Sequence, residues 1–217
     1  MKSEKNKYLH ILTILVALIP LVSYGVLFTK FPESIPMHFN AAGEVDRYGD
    51  KYEVLLLAVL PIALMCLLEV LPKIDPKKEN YKKFEPFYKI FSFIIVVFLS
   101  GVYGFTVYSA FQKEVMNIST IIFIGVGALF LILGNYMPQA KQNYLFGIRT
   151  PWTLANENVW IKTHRVGGYC FMGAGIGFVL VALVLPTAWI TAAVLIITAI
   201  MVGIPPVYSY MAFKQEK

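Results

Sequence analysis

Apolar residues in this chain run on far longer than a soluble core needs, and short polar segments separate the runs. Six of them are long enough to cross a hydrocarbon layer of roughly 30 Å, which takes about 20 residues of helix. They are Tyr8–Thr29, Val54–Pro72, Lys89–Phe111, Ile118–Met137, Val166–Leu185 and Ala188–Ile204. The only formal charges inside them are Glu69, near one end, and the boundary residue Lys89. Tyr8, Phe28, Tyr52, Tyr88, Tyr136, Trp189, Tyr208 and Tyr210 gather at the ends, where rings sit at a membrane interface. The pattern predicts an all-α, polytopic membrane protein of six transmembrane helices. The segment MKSEKNK ahead of the first run imitates a signal peptide. The run is too long for one, however, and no small-x-small cleavage site follows, so it reads as an uncleaved span.

Charge supplies the orientation. With the N-terminus inside, fifteen of the nineteen lysines and arginines fall on the cytoplasmic side and four outside, as positive-inside topology requires. Both termini are therefore expected in the cytoplasm. The chain is 58% hydrophobic and 15% charged, with a net charge of +6. Facing the anionic inner leaflet accounts for that excess, so no direct nucleic-acid binding is expected.

Two connections are longer than the rest, and long loops between short ones tend to carry function. The external loop spans 30–53 and has three basic against five acidic residues. Pro32 and Pro36 bias it towards extended structure, while Asn40-Ala-Ala-Gly43 and Tyr48-Gly49-Asp50 supply turn residues. His38, Asp46 and Asp50 lack the fixed spacing of a ligand set, so neither a metal nor a cofactor is expected. The loop reads as a folded polar cap with His38 hydrogen-bonded inside it. The internal loop spans 138–165. Thr150-Pro151 looks like a helix start, and the residues up to Arg165 predict one interfacial helix between spans 4 and 5. Trp152, Ala155, Val159 and Thr163 would share a face beside Trp160, with the indoles at headgroup depth and Arg149, Lys162 and Arg165 on phosphates.

The remaining features read blandly. Cys66 and Cys170 are expected to be buried thiols packing as small hydrophobes. Glu69 is expected to snorkel to the interface. The pairs Gly173/Gly177, Gly125/Gly127 and Gly101/Gly104 are candidates for close helix packing. The long loops follow spans 1 and 4, which suggests a three-plus-three inverted pseudo-repeat within one membrane domain, 1–217. No convergent catalytic set appears: His38 falls on one side, His10 and His164 on the other. The chain is therefore not expected to be an enzyme.

The run Gly134-Asn135, Asn143, Gly147-Ile148-Arg149-Thr150-Pro151-Trp152-Thr153-Leu154, Trp160, Thr163-His164-Arg165 and Gly167 resembles the SdpI family of bacterial immunity proteins. This SdpI-like segment spans 118–213. The segment Pro36, His38-Phe39-Asn40, Gly43 and Asp46 looks like a domain of unknown function, DUF1648, within a DUF1648-like segment, 8–72. The resemblance implies a multi-pass protein of the bacterial cell membrane that protects its own cell from a secreted, membrane-active peptide toxin. It also implies signalling through a transcriptional repressor held at the membrane. On that reading His38, Phe39, Asn40, Gly43 and Asp46 would meet the toxin. Asn135, Asn143, Gly147, Arg149, Thr150, Pro151, Trp152, Trp160, His164 and Arg165 would form the cytoplasmic motif. The alternative is a transporter or export accessory without proton coupling, since the mid-membrane regions hold no ionisable group.

Overall fold

A computed structural model describes residues 2–40, 43–112 and 118–216. The two alanines of Asn40-Ala-Ala-Gly43, the Lys113 and Glu114 of the third connection, and Lys217 lie outside the described residues. Among the described residues six helices are long and apolar enough to cross a membrane. They are α1 (Lys2–Leu27), α2 (Lys51–Ile74), α4 (Glu85–Phe111), α5 (Ile118–Tyr136), α7 (Glu157–Val184) and α8 (Thr187–Gln215). Each expected run falls on one of them. Short helices α3 (Lys78–Lys83) and α6 (Pro151–Ala155) lie in connections, and strands β1 (Ile35–Phe39) and β2 (Val45–Gly49) form an antiparallel pair between α1 and α2. The all-α expectation thus holds except for one hairpin, which two prolines and the turn residues had marked only as extended chain.

The chain packs as two units: residues 1–69 with 89–121, and residues 70–88 with 122–217. In the first unit, buried Tyr24, Ile35, Val54, Ala58 and Tyr103 pack together, and Ala17, Met65 and Val96 form a second cluster. Ile35 is the first residue of β1, so the hairpin is plugged into the helices at its base. Ser23 Oγ lies 3.0 Å from the Tyr103 hydroxyl, tying α1 to α4. His10 Nδ1 approaches Glu69 Oε1 to 3.4 Å, which gives the acidic residue expected to snorkel alone a neighbour on α1. Cys66 is exposed on α2 rather than buried, and Cys170 is half-buried; both are free. In a helix whose outer face meets lipid, a small apolar thiol costs little on either face.

In the second unit α5 and α7 cross antiparallel at two glycine pairs. A Cβ on Gly134 would lie 2.6 Å from the Gly168 carbonyl oxygen, and one on Gly168 would lie 2.7 Å from that of Gly134. Gly127 and Gly175 repeat the arrangement: a Cβ on Gly127 would lie 2.7 Å from the Gly175 carbonyl oxygen, and one on Gly175 would lie 2.6 Å from that of Gly127. Backbones meet here with no side chain between them, the packing that lipid favours. Of the glycines picked by sequence spacing, Gly127 takes part in a crossing, whereas Gly101, Gly104 and Gly173 have nothing within 4 Å and Gly177 faces Ile197. Spacing along one helix cannot say which face meets a partner. Pro205 and Pro206 lie inside α8. A proline withholds the N–H that would bond the carbonyl four residues back.

The single surface helix expected over 151–165 is instead two elements. α6 has five residues and ends at Asn156, whose extended backbone (φ −142°, ψ 125°) closes α6 and opens α7. Asn156 Oδ1 accepts from the N–H groups of Asn158 (2.8 Å) and Val159 (3.2 Å), an N-cap that restarts the helix. Residues 157–165 are therefore the first turns of α7.

Candidate functional site

Two loops carry the residues singled out from the sequence, and each lies within one unit. The first is the hairpin. β1 and β2 are joined across Asn40 and Gly43. Asn40 N–H donates to the Glu44 carbonyl (2.9 Å), Asn40 Oδ1 accepts from Glu44 N–H (3.0 Å), and Asn40 Nδ2 donates to Glu44 Oε2 (2.9 Å). Gly43 takes φ 83°, a left-handed conformation that glycine adopts without strain. His38 Nδ1 lies 2.6 Å from Asp46 Oδ1 across the strands, the within-loop bond expected of it. Phe39 turns inward and meets Phe105 edge-to-face at 6.3 Å. Asp50 Oδ1 accepts from the N–H groups of Tyr52 (2.8 Å) and Glu53 (3.2 Å), capping α2, so Asp50 is committed to structure. Among the described residues no group of three His, Cys, Asp or Glu side chains is placed to hold a metal.

The second loop is a dense polar knot, and its centre is Asp75, a residue sequence reasoning passed over. Pro76 ends α2, because the residue before proline is biased away from helix. This leaves Asp75 buried just past the last turn. Its Oδ1 accepts from Lys77 N–H (2.7 Å). Its Oδ2 accepts from the N–H groups of Tyr144 (2.9 Å) and Leu145 (3.0 Å), and the Tyr81 hydroxyl lies 3.2 Å away. The same hydroxyl is 3.1 Å from Asn143 Oδ1, which also accepts from Leu145 N–H (3.0 Å) and Phe146 N–H (2.6 Å). A carboxylate is the right centre for this set because it offers acceptors only and can satisfy several donors at once. Burial first, and then the Asp75 carboxylate, push the Tyr81 phenol well above the usual tyrosine range.

Gln142, next in sequence, bridges the other way. Its Nε2 donates to the carbonyls of Thr153 (2.7 Å) and Leu154 (3.0 Å), its Oε1 accepts from the Lys77 ammonium, and its carbonyl accepts from Asn80 Nδ2 (2.7 Å). Phe146 packs among Phe84, Phe87 and Tyr88 at centroid distances of 5.3 to 6.2 Å. Residues 75–88 and 141–154 thus fold as one body. An aspartate before a proline and scattered aromatics were too ordinary a signal to reveal it.

The motif residues then fall into place. Gly147 takes φ 102°, and a Cβ there would lie 2.4 Å from His164 Nε2, so two constraints demand glycine. His164 is fully buried and stacked on Trp160, with centroids 4.0 Å apart. Its Nε2 accepts from Ile148 N–H (3.0 Å), which requires the neutral ring with its proton on Nδ1, donated to the Trp160 carbonyl (2.9 Å). Trp160 Nε1 donates to the Ala140 carbonyl at 2.8 Å. This indole is a core group, not a headgroup anchor. Trp152 packs on Tyr210 at 5.1 Å.

Thr150 caps α6 reciprocally with Thr153: Thr150 Oγ1 accepts from Thr153 N–H (3.2 Å) and Thr153 Oγ1 from Thr150 N–H (2.9 Å). Pro151 occupies the first helical position, as expected. Thr150 Oγ1 also meets Ser209 Oγ at 2.9 Å, which fastens the loop to α8. Arg149 Nη1 donates to the Tyr144 carbonyl (2.9 Å), and Lys162 pairs with Glu216 (2.7 Å), so both have protein partners where phosphates were expected. Arg165 and Asn135 are exposed. The sequence motif is therefore chiefly a folding signature, with Tyr144, Arg149 and Arg165 left at its surface.

Known proteins share both segments. Residues 139–209 match the SdpI/YfhL protein family, and residues 12–62 match a domain of unknown function, DUF1648. Over 156 residues the chain is 25% identical to the immunity protein SdpI of Bacillus subtilis, a stretch covering 72% of each chain. A stretch of 55 residues is 46% identical to an uncharacterized protein of Archaeoglobus fulgidus, covering 25% of this chain and 28% of that one. No solved structure matches significantly. The first match contains the hydrogen-bonded loop from Gln139 to Trp160 together with α7 and most of α8, and the second contains the hairpin. Through these two segments the chain is similar to the SdpI/YfhL family, with a DUF1648 match ahead of the matching region, and its six long apolar helices make it a multi-pass bacterial membrane protein.

Proposed function

We propose that this protein is a membrane immunity protein, without enzymatic activity, that protects its own cell against a secreted, membrane-active peptide. The observation that carries this reading is its similarity to an immunity protein over 72% of both chains. In the proposed orientation both termini face the cytoplasm, supported by the lysine and arginine distribution. The hairpin then faces outward and the Asp75 loop inward. Five acidic against three basic residues in 30–53 would attract a cationic peptide modestly at physiological salt. His38, Phe39, Asn40, Gly43 and Asp46 would shape the surface that meets it. The inward surface at Tyr144, Arg149 and Arg165 would be where a cytoplasmic repressor is held.

Expression in a sensitive strain challenged with membrane-active cationic peptides tests the proposal. The intact chain should raise survival, and substitutions of His38, Asn40 or Asp46 should lower it while membrane insertion stays normal. Survival equal to that of the empty vector across such peptides would refute the immunity reading.

A further inference from the structure

The hairpin is the one sheet among the described residues, and its outer strand is open along one side. β2 pairs with β1, and among the described residues no other hydrogen bond reaches the main chain of residues 45–49. β1 lies inward, with Ile35 buried against α1, α2 and α4, while Asp46, Arg47 and Tyr48 of β2 are exposed. The strand is also held firmly. Arg47 Nη1 donates to Glu53 Oε2 at 2.7 Å, Asp50 caps α2 directly after it, and Gly49 fits so closely that a Cβ would fall 2.7 Å from Met37 Cγ. An open strand fixed in place offers main-chain donors and acceptors to an extended segment with little further ordering of its own.

Charge identifies the occupant. Arg47 is committed to Glu53, and the Lys51 ammonium lies 4.2 Å above the Phe28 ring. With Arg47 and Glu53 paired, Glu33, Glu44, Asp46 and Asp50 stand against Lys30 and Lys51 in the segment 30–53, an acidic surplus of two. A second copy of the chain would bring the same acidic surplus to the contact. We propose that an extended cationic peptide adds to β2 as a third strand. This rests on the immunity reading and specifies how the peptide would be held: main-chain bonds supply the docking, and the acidic rim supplies the preference for lysine and arginine.

The test uses the full chain in nanodiscs of zwitterionic phosphatidylcholine, with empty nanodiscs as background. The probe is a short capped peptide of alternating lysine and valine. Two further versions are N-methylated on alternate amides, one in the odd frame and one in the even frame. A strand turns every second amide towards its neighbour, so one frame faces β2 and the other faces water. The parent peptide should bind, one methylated version should bind like it, and the other should lose about tenfold or more in affinity. Equal binding by all three peptides overturns strand addition. So does parent binding no greater than background, or a doubled protein content per nanodisc that excludes the peptide. The survival assay remains independent: protection with equal binding of the three peptides would sink the docking mode and leave the immunity reading standing.

Discussion

Asp75 and Gly147 show what single residues contribute. Asp75→Ala would leave the N–H groups of Lys77 and Tyr144 without their acceptor and weaken the bifurcated bond of Leu145. Each buried donor left unsatisfied costs about 1–3 kcal/mol. Hydrogen exchange should therefore accelerate at the Tyr144 and Leu145 amides, with exchange on α1 unchanged. Gly147→Ala meets a left-handed φ and a side chain at once, because its Cβ falls on His164 Nε2. It should break the Ile148–His164 bond, which near-ultraviolet circular dichroism of the stacked Trp160 would register. The sequence made Gly147, Trp160 and His164 stand out as a group without revealing that they hold one another. Asp75 was invisible because two of its partners are the Tyr144 and Leu145 amides, 69 and 70 residues away, and no local pattern encodes them.

Elements were read more easily than their pairings. Every span was legible, since a run of apolar residues has one stable solution in lipid, a hydrogen-bonded helix. The break at Asn156 was not legible, because Ala-Asn-Glu-Asn can continue a helix as readily as cap a new one. Helix faces were also hidden. Gly173 and Gly177 have the familiar spacing, yet the backbone crossings use Gly127, Gly134, Gly168 and Gly175. Gly134→Val should push α5 and α7 apart and lower the thermal midpoint of the detergent-solubilised protein, at a cost of about 1–3 kcal/mol. Gly173→Ala, with nothing within 4 Å of the new methyl, should leave the midpoint unchanged. If the two variants melted alike, the crossing would not be where these contacts put it.

For the whole molecule, the prediction concerns sides. In a background with Cys66 and Cys170 replaced, single cysteines at Asp46 and Trp152 should react with an impermeant maleimide from opposite faces of the membrane. Asp46→Cys should label in intact cells and Trp152→Cys only after lysis. Labelling of both from outside would reverse the roles assigned to the two loops. Charge counting could supply this expectation from the sequence alone, because the bias of lysine and arginine acts on topology directly. The hairpin's strand geometry could not be supplied in that way, since ten extended residues in a membrane protein leave almost no hydropathy signal.

The carboxylate that organises the loop before α7 sits just after α2, with both α4 and α5 between the two in the chain. A gene cut between α4 and α5 would therefore strand the C-terminal fragment with an unanchored loop, although that fragment would still hold three apolar helices and insert. Supplied separately, the missing portion would restore the fold only by delivering Asp75 and Tyr81 in trans. A truncated paralogue that begins at α5 would need an acid from elsewhere to do the same work.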